Sequence, residues 1–135
     1  MRRSHTFSIP IACPADRVYR FLVDPRNYPR WSAMEESGYH QLDNGDWAGN
    51  TAFGFRHVRF TAPNTFGVLD HAVFVPGEEI LFSPMRAVAN GEGSELIFTF
   101  FQRVGTSDEQ FDSTLEWIRV DLLALASVLE TLHSR

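Results

Sequence analysis

The chain is 135 residues and 15.4 kDa, room for one domain and one core. With 44% hydrophobic and 21% charged residues it has a globular balance, and a net charge of −5 argues against a nucleic-acid or anionic-membrane surface, which needs a concentrated positive field. All twelve basic residues are arginine, so Schiff-base, P-loop and general-base lysines are excluded.

In chain order, Arg2-Arg3 ahead of Phe7 to Cys13 imitates an export signal, but the apolar run is shorter than the ~7–15 residues a signal needs and contains Pro10. Together with the lone Cys13, which excludes an internal disulfide and a cysteine-rich zinc site, this reads as a cytoplasmic protein. No apolar run reaches the ~18–20 residues of a membrane span. Residues 6–11 alternate as a strand. Cys13-Pro14-Ala15-Asp16 then starts a short helix, with Pro14 at its first position and Val18, Phe21 and Leu22 on one face. Asp24-Pro25 stops it, and Asp24 can cap a second short helix from Pro25 to about Trp31.

Strands follow. Residues 36–42 lead into Asp43-Asn44-Gly45-Asp46, a strong hairpin signal, with a return strand from Trp47. Further strands are predicted over 51–60, 66–75, 80–88 and 95–103, with Pro84 marking an edge or bulge. The intervening Pro, Gly and Asn clusters are turn chemistry, and short connections imply an antiparallel meander. Last comes a helix of more than twenty residues, capped by Thr106 or Ser107, with Glu109 or Gln110 three residues on. Phe111, Leu115, Ile118, Leu122, Leu125, Leu129 and Leu132 form its apolar stripe, which must lie across the sheet. The fold class is therefore α+β. The eighteen aromatic residues, twelve of them Phe, imply either a dense core or a large apolar cavity.

Residues 7–25, an apolar strand leading through Cys13-Pro14-Ala15-Asp16 to Val18-Tyr19-Arg20-Phe21 and then Asp24-Pro25, with Trp31 beyond, resemble the N-terminal signature of the START-like SRPBCC superfamily. The long C-terminal helix is similar too. The resemblance implies a helix-grip fold: a curved antiparallel β-sheet wrapped around that helix, two short helices after the first strand, and an enclosed apolar ligand cavity. Polyketide cyclases and dehydrases, lipid and sterol carriers, hormone receptors and chaperone activators share this fold, with no universal catalytic residue. The later stretch Phe66-Gly67-Val68-Leu69-Asp70-His71, with Pro84-Met85-Arg86 and Asn90-Gly91-Glu92-Gly93, looks like a largely uncharacterised bacterial branch of the superfamily.

Four residues are candidates for catalysis: His57, Asp70, His71 and Arg86. Asp70 and His71 are adjacent on a strand and point to opposite faces, so they form no dyad with each other. On the same reasoning Phe53, Phe55, His57 and Arg59 share one face, which sets His57 near a cavity mouth if the two phenylalanines line it. Arg86 wants a carboxylate, from Glu95 or Asp70, as a structural ion pair or else clamps an acidic substrate. Trp31, Phe53, Phe55, His57, Phe111, Leu115, Ile118 and Leu122 are the expected ligand-binding residues. Glu35-Glu36 reads as a solvated pair, Asn90-Gly91-Glu92-Gly93 as a turn, and Cys13 as lacking a histidine partner for a nucleophile role. The histidines show no metal-ligand spacing, so no metal and no cofactor is expected. The leading function is binding of a small hydrophobic molecule, lipid or polyketide-like, in a cavity between sheet and C-terminal helix, with no nucleic-acid partner and no integral membrane contact. The alternatives are a cyclase- or dehydrase-like enzyme and a protein-interaction domain of the chaperone-activator type.

Overall fold

The computed structural model describes residues 1–134. β1 (Ser4–Ile11) buries Phe7, Ile9 and Ile11 on one face and leaves Ser8 and Pro10 exposed. Pro10 is tolerated because β1 is an edge strand. α1 (Ala15–Leu22) follows, with Pro14 at the N-cap, one position earlier than the pattern suggests, and Val18 and Leu22 buried. Asp24 caps the next turn by accepting from the Arg26 N–H at 3.0 Å. That segment, Pro25–Arg30, is a 3-10 helix, since Pro29 inside it lacks the N–H an α-helical ladder needs.

The remaining strands are β2 (His40–Gln41), β3 (Trp47–Thr51), β4 (Gly54–Phe60), β5 (His71–Phe74), β6 (Met85–Asn90) and β7 (Gly93–Phe101). Two differences from the sequence pattern matter. Only two residues of the expected strand 36–42 pair, and the expected strand 51–60 is a hairpin turning at Ala52 and Phe53. Thr51 Oγ1 accepts from the Phe53 N–H at 3.0 Å and donates to the Gly54 carbonyl at 2.8 Å, and Gly54 takes φ +112°. This is the small Ser/Thr turn a hydroxyl and a glycine make possible, hidden in the sequence by the flanking phenylalanines.

Pairing is antiparallel throughout, in the orders β1-β7-β6 and β2-β3-β4-β5. The halves meet between β5 and β6, where Val68 bridges Arg86 and His71 bridges Ser83. Leu69 N–H donates to the Met85 carbonyl at 2.9 Å and Ala87 N–H to Gly67 at 3.1 Å. Gly67 sits at φ +71°, and a Cβ there would stand 2.5 Å from the Ala87 carbonyl oxygen. Only glycine closes this seam without displacing backbone.

α2 (Asp108–His133) starts at a capping box: Ser107 Oγ accepts from the Gln110 N–H, and the Gln110 side chain accepts from the Ser107 N–H. Its C-terminal half supplies Leu122, Leu125, Ala126 and Leu129 to a core shared with β1, β6, β7 and α1. A second cluster, Tyr28, Met34 and Val58, lies under β3 to β5. The stripe read from the sequence holds except at Leu132, which is exposed. This is α+β architecture of the helix-grip kind.

Two substitutions test the division of α2. Leu125→Ala should cost about 2–5 kcal/mol in urea unfolding, because its surroundings are packed. Ile118→Ala, whose side chain already borders open space, should cost only about 1 kcal/mol. Equal losses would mean that both halves of the helix are packed alike.

Candidate ligand cavity

A cavity of about 830 Å³ lies between the N-terminal half of α2 and the inner face of the sheet. It exists because α2 is clamped at one end. Gln110, Thr114, Trp117, Ile118, Asp121 and Leu122 face it along the helix, and from Leu125 onward the same side is packed. The buried lining residues Tyr28, His71, Met85, Phe98 and Leu122 form its floor. Phe53 at the β3–β4 turn and Trp117 on α2, both 56% exposed, meet edge to face at 6.1 Å and frame the mouth.

His71 and Tyr28 are the buried ionisable groups of the floor. The β4–β5 register sets Phe60 opposite His71 and Val58 opposite Val73, so these four share the inner face. The His71 ring is nearly parallel to Phe60 and Phe98, at 6.2 and 5.9 Å, and meets Tyr28 and Trp31 edge-on at 5.9 and 5.6 Å. Burial pushes its pKa down, against smaller opposing effects of the Leu69 carbonyl and the Asp70 charge. The ring is therefore neutral at pH 7. Nδ1 lies 3.0 Å from the Leu69 carbonyl, which assigns the proton to Nδ1 and leaves Nε2 an acceptor.

Four further titratable groups border the cavity that the sequence analysis does not single out. Asp121 is partly buried, makes no ion pair or hydrogen bond among the described residues, and burial pushes its carboxyl up. Its signal was present as a lone acid three residues beyond Ile118 and one before Leu122 in the stripe. Burial likewise raises the Tyr28 phenol, keeping it a neutral hydroxyl. Arg103 donates to the carbonyls of Val73 and of Glu79, the latter at 3.0 Å, and Arg56 donates to those of Phe55 and Phe53 at 2.9 and 3.0 Å.

Of the residues expected at the site, Trp31, Phe53, His71, Ile118 and Leu122 line the cavity. Phe55 and His57 do not: the turn at Ala52 and Phe53 breaks the alternation, and β4 then presents Arg56, Val58 and Phe60 inward. His57 contacts Phe55 and Phe74 on the outer face, each at 5.6 Å. Phe111 and Leu115 turn toward the sheet instead, with Phe111 stacked on Phe100 at 5.8 Å and capped by the Arg3 guanidinium at 5.0 Å. Asp70 and His71 do face opposite ways. Asp70 pairs with Arg86 and accepts from the Met85 N–H at 2.8 Å, so the carboxylate left open between Glu95 and Asp70 is Asp70. Glu95 instead accepts from the Ser8 hydroxyl at 3.0 Å. Glu35 and Glu36 are exposed, and Asn90 to Gly93 form the β6–β7 turn. Cys13 is buried, which pushes its thiol pKa up, away from a thiolate. Among the described residues no three His, Cys, Asp or Glu side chains stand together as metal ligands would.

Because His71 is buried neutral with a lowered pKa, the unfolded chain binds its proton more readily than the folded one. Stability from this group is complete above about pH 6.5 and is lost as pH falls toward the folded pKa. Urea midpoints should thus drop between about pH 7 and about pH 5 in the wild type, and less in His71→Phe, which keeps the stacking but cannot titrate. Parallel slopes for the two proteins would place the titration elsewhere.

No family model and no curated protein matches the sequence, and the likeness to known proteins is structural. The Zhui aromatase/cyclase from a Streptomyces species superposes with a TM-score of 0.73 at 18% identity, covering 100% of this chain and 97% of that one. The Aha1 protein from Colwellia psychrerythraea, solved as a dimer, gives 0.72 at 14% identity, over 95% and 96% of the two chains. A START superfamily protein from Mycobacterium smegmatis gives 0.67 at 13%, over 98% and 99%. The chain has the START-like SRPBCC fold that its N-terminal residues resemble.

Proposed function

We propose that the protein binds a small, mostly apolar molecule in the cavity between sheet and α2. One observation supports this above the others: an opening of about 830 Å³ is preserved beside a packed core, with Met85, Phe98 and Leu122 buried in its floor. Ligand pockets have this size and character. Maintaining such a space costs dispersion contacts that a packed interior would have, so the space needs a use. The catalytic alternative is weaker. Of His57, Asp70, His71 and Arg86, only His71 borders the cavity, while Arg86 and Asp70 neutralise each other outside it. The net charge of −5 supports a small-molecule partner over nucleic acid, and no described helix is long and apolar enough to cross a membrane. We read the protein as acting in the cytoplasm. That a structural neighbour is an aromatase/cyclase suggests ligands of polyketide-like or lipid character.

Nile red, a neutral apolar dye, should bind saturably at micromolar concentration. Met85→Trp, which fills the floor, should weaken that binding at least about tenfold while the protein still unfolds cooperatively. Failure of the wild type to bind any neutral apolar probe would remove this reading. Undiminished binding by the filled variant would move the site elsewhere.

A further inference from the structure

Resting on that reading, we infer that the ligand is an amphipathic organic acid, whose carboxylate is held by Arg56 and Arg103 while its apolar body occupies the floor. Both arginines border the cavity. Neither stands in an ion pair among the described residues, although most other described arginines do. Each is tied to backbone carbonyls through only two of its N–H groups, which leaves three of the five donors on each guanidinium. They come from different elements, Arg56 from β4 and Arg103 from the segment after β7, so no single local motif explains why both border the cavity.

The electrostatics are unfavourable as they stand. Arg103 is half-buried, and both its burial and the Arg56 charge disfavour its charged form. Nearby acids relieve it only in part: the Glu79 charge, which outweighs that of Arg56, and the Glu78 charge favour the charged form, while burial opposes it most. Glu79 is engaged by Arg2 at 2.6 Å, and Glu78 acts on Arg103 only at a distance. Glu109, on the first turn of α2, also lines the cavity, but it is exposed and paired to neither arginine. Two like charges bordering one low-dielectric space, with donors to spare, are satisfied by an anion bound in that space. The opposite end of the cavity suits the rest of such a molecule. Tyr28, His71, Met85, Phe98 and Leu122 present neutral or apolar surface there. The lining thus offers two unpaired guanidiniums and a floor without formal charge, which suit an acid with an apolar body, while the acids Glu109 and Asp121 border the same space on α2.

The probes are naphthalene-2-carboxylate and its methyl ester, titrated calorimetrically beside Nile red. The acid should bind at least about tenfold more tightly than the ester, and Arg56→Gln or Arg103→Gln should remove most of that preference while leaving ester binding unchanged. Equal affinity of acid and ester overturns this inference yet leaves the apolar cavity reading intact. Loss of all binding, Nile red included, overturns both. Arg103 also braces backbone carbonyls, so a measurement on the wild type backs up the variants. A carbon-13-labelled acid carboxyl should titrate at lower pH when bound than when free, because paired guanidiniums favour its ionised form. A bound carboxyl that titrates at the same or a higher pH would show it in an apolar environment away from the arginines, and the inference would be wrong.

Discussion

The structure depends on how α2 is held. Leu122, Leu125, Ala126 and Leu129 pack with Phe7, Ile9 and Ile11 of β1, Leu96 and Phe98 of β7, and Met85 and Ala87 of β6. Burying side chains of this size stabilises by roughly 1.5–3 kcal/mol each, so this contact alone approaches the scale of a domain's net stability. The N-terminal half of the helix is secured differently. It has the capping box, the stack of Phe111 on Phe100, and Arg3 bridging Asp108 and Asp112 at 3.2 and 3.1 Å. Those ion pairs are exposed and individually weak. A helix clamped firmly at one end and along one edge can leave its remaining side standing off the sheet, and the cavity is that unfilled space.

The seam between β5 and β6 sets what the cavity contains. Ladder hydrogen bonds resume across it only at Leu69, His71 and Ala87, with Gly67 allowing the two backbones to approach. Because side chains alternate, this register sends His71 and Met85 inward together and Asp70 and Arg86 outward together. A one-residue slip would turn one strand over against the other, putting either Asp70 or Arg86 into the cavity and splitting the pair across the sheet. The outward Asp70–Arg86 pair, reinforced by the Asp70 bond to the Met85 N–H, favours the observed register.

Much of this was legible in the sequence, and the failures are specific. Periodicity located α2 and its cap, because a 26-residue amphipathic helix repeats its signal many times over. Residues 7 to 31 carried the fold through their resemblance to other chains. The β3–β4 turn was not legible, since Thr51-Ala52-Phe53-Gly54 lies within an apolar run and the alternation of the sequence runs straight through it. That one missed turn inverted the assignment of Phe55 and His57, because strand facing is a parity and a turn resets it. Asp70 against His71 was read correctly as opposed, but which of them faced inward depends on β4 pairing, a non-local fact. Arg56 and Arg103 escaped notice for the same reason. They are 47 positions apart in the chain and border one cavity only when β4 and the segment after β7 come together.

The titratable groups of the cavity follow one logic. Burial acts on each against its charged form: His71 loses its proton more easily, while Asp121 and Tyr28 hold theirs more firmly. The two titratable floor residues, His71 and Tyr28, are therefore both neutral at pH 7. They can offer a hydroxyl and an imidazole nitrogen as hydrogen-bonding groups without carrying a charge that an apolar ligand would have to desolvate. Arginine cannot follow this route, because its intrinsic pKa lies too high for partial burial to discharge it. In a chain with no lysine, a cation at the cavity remains a cation, and its neutralisation has to come from a partner rather than from loss of a proton. This asymmetry makes the same environment a neutral surface at His71 and a standing positive field at Arg56 and Arg103.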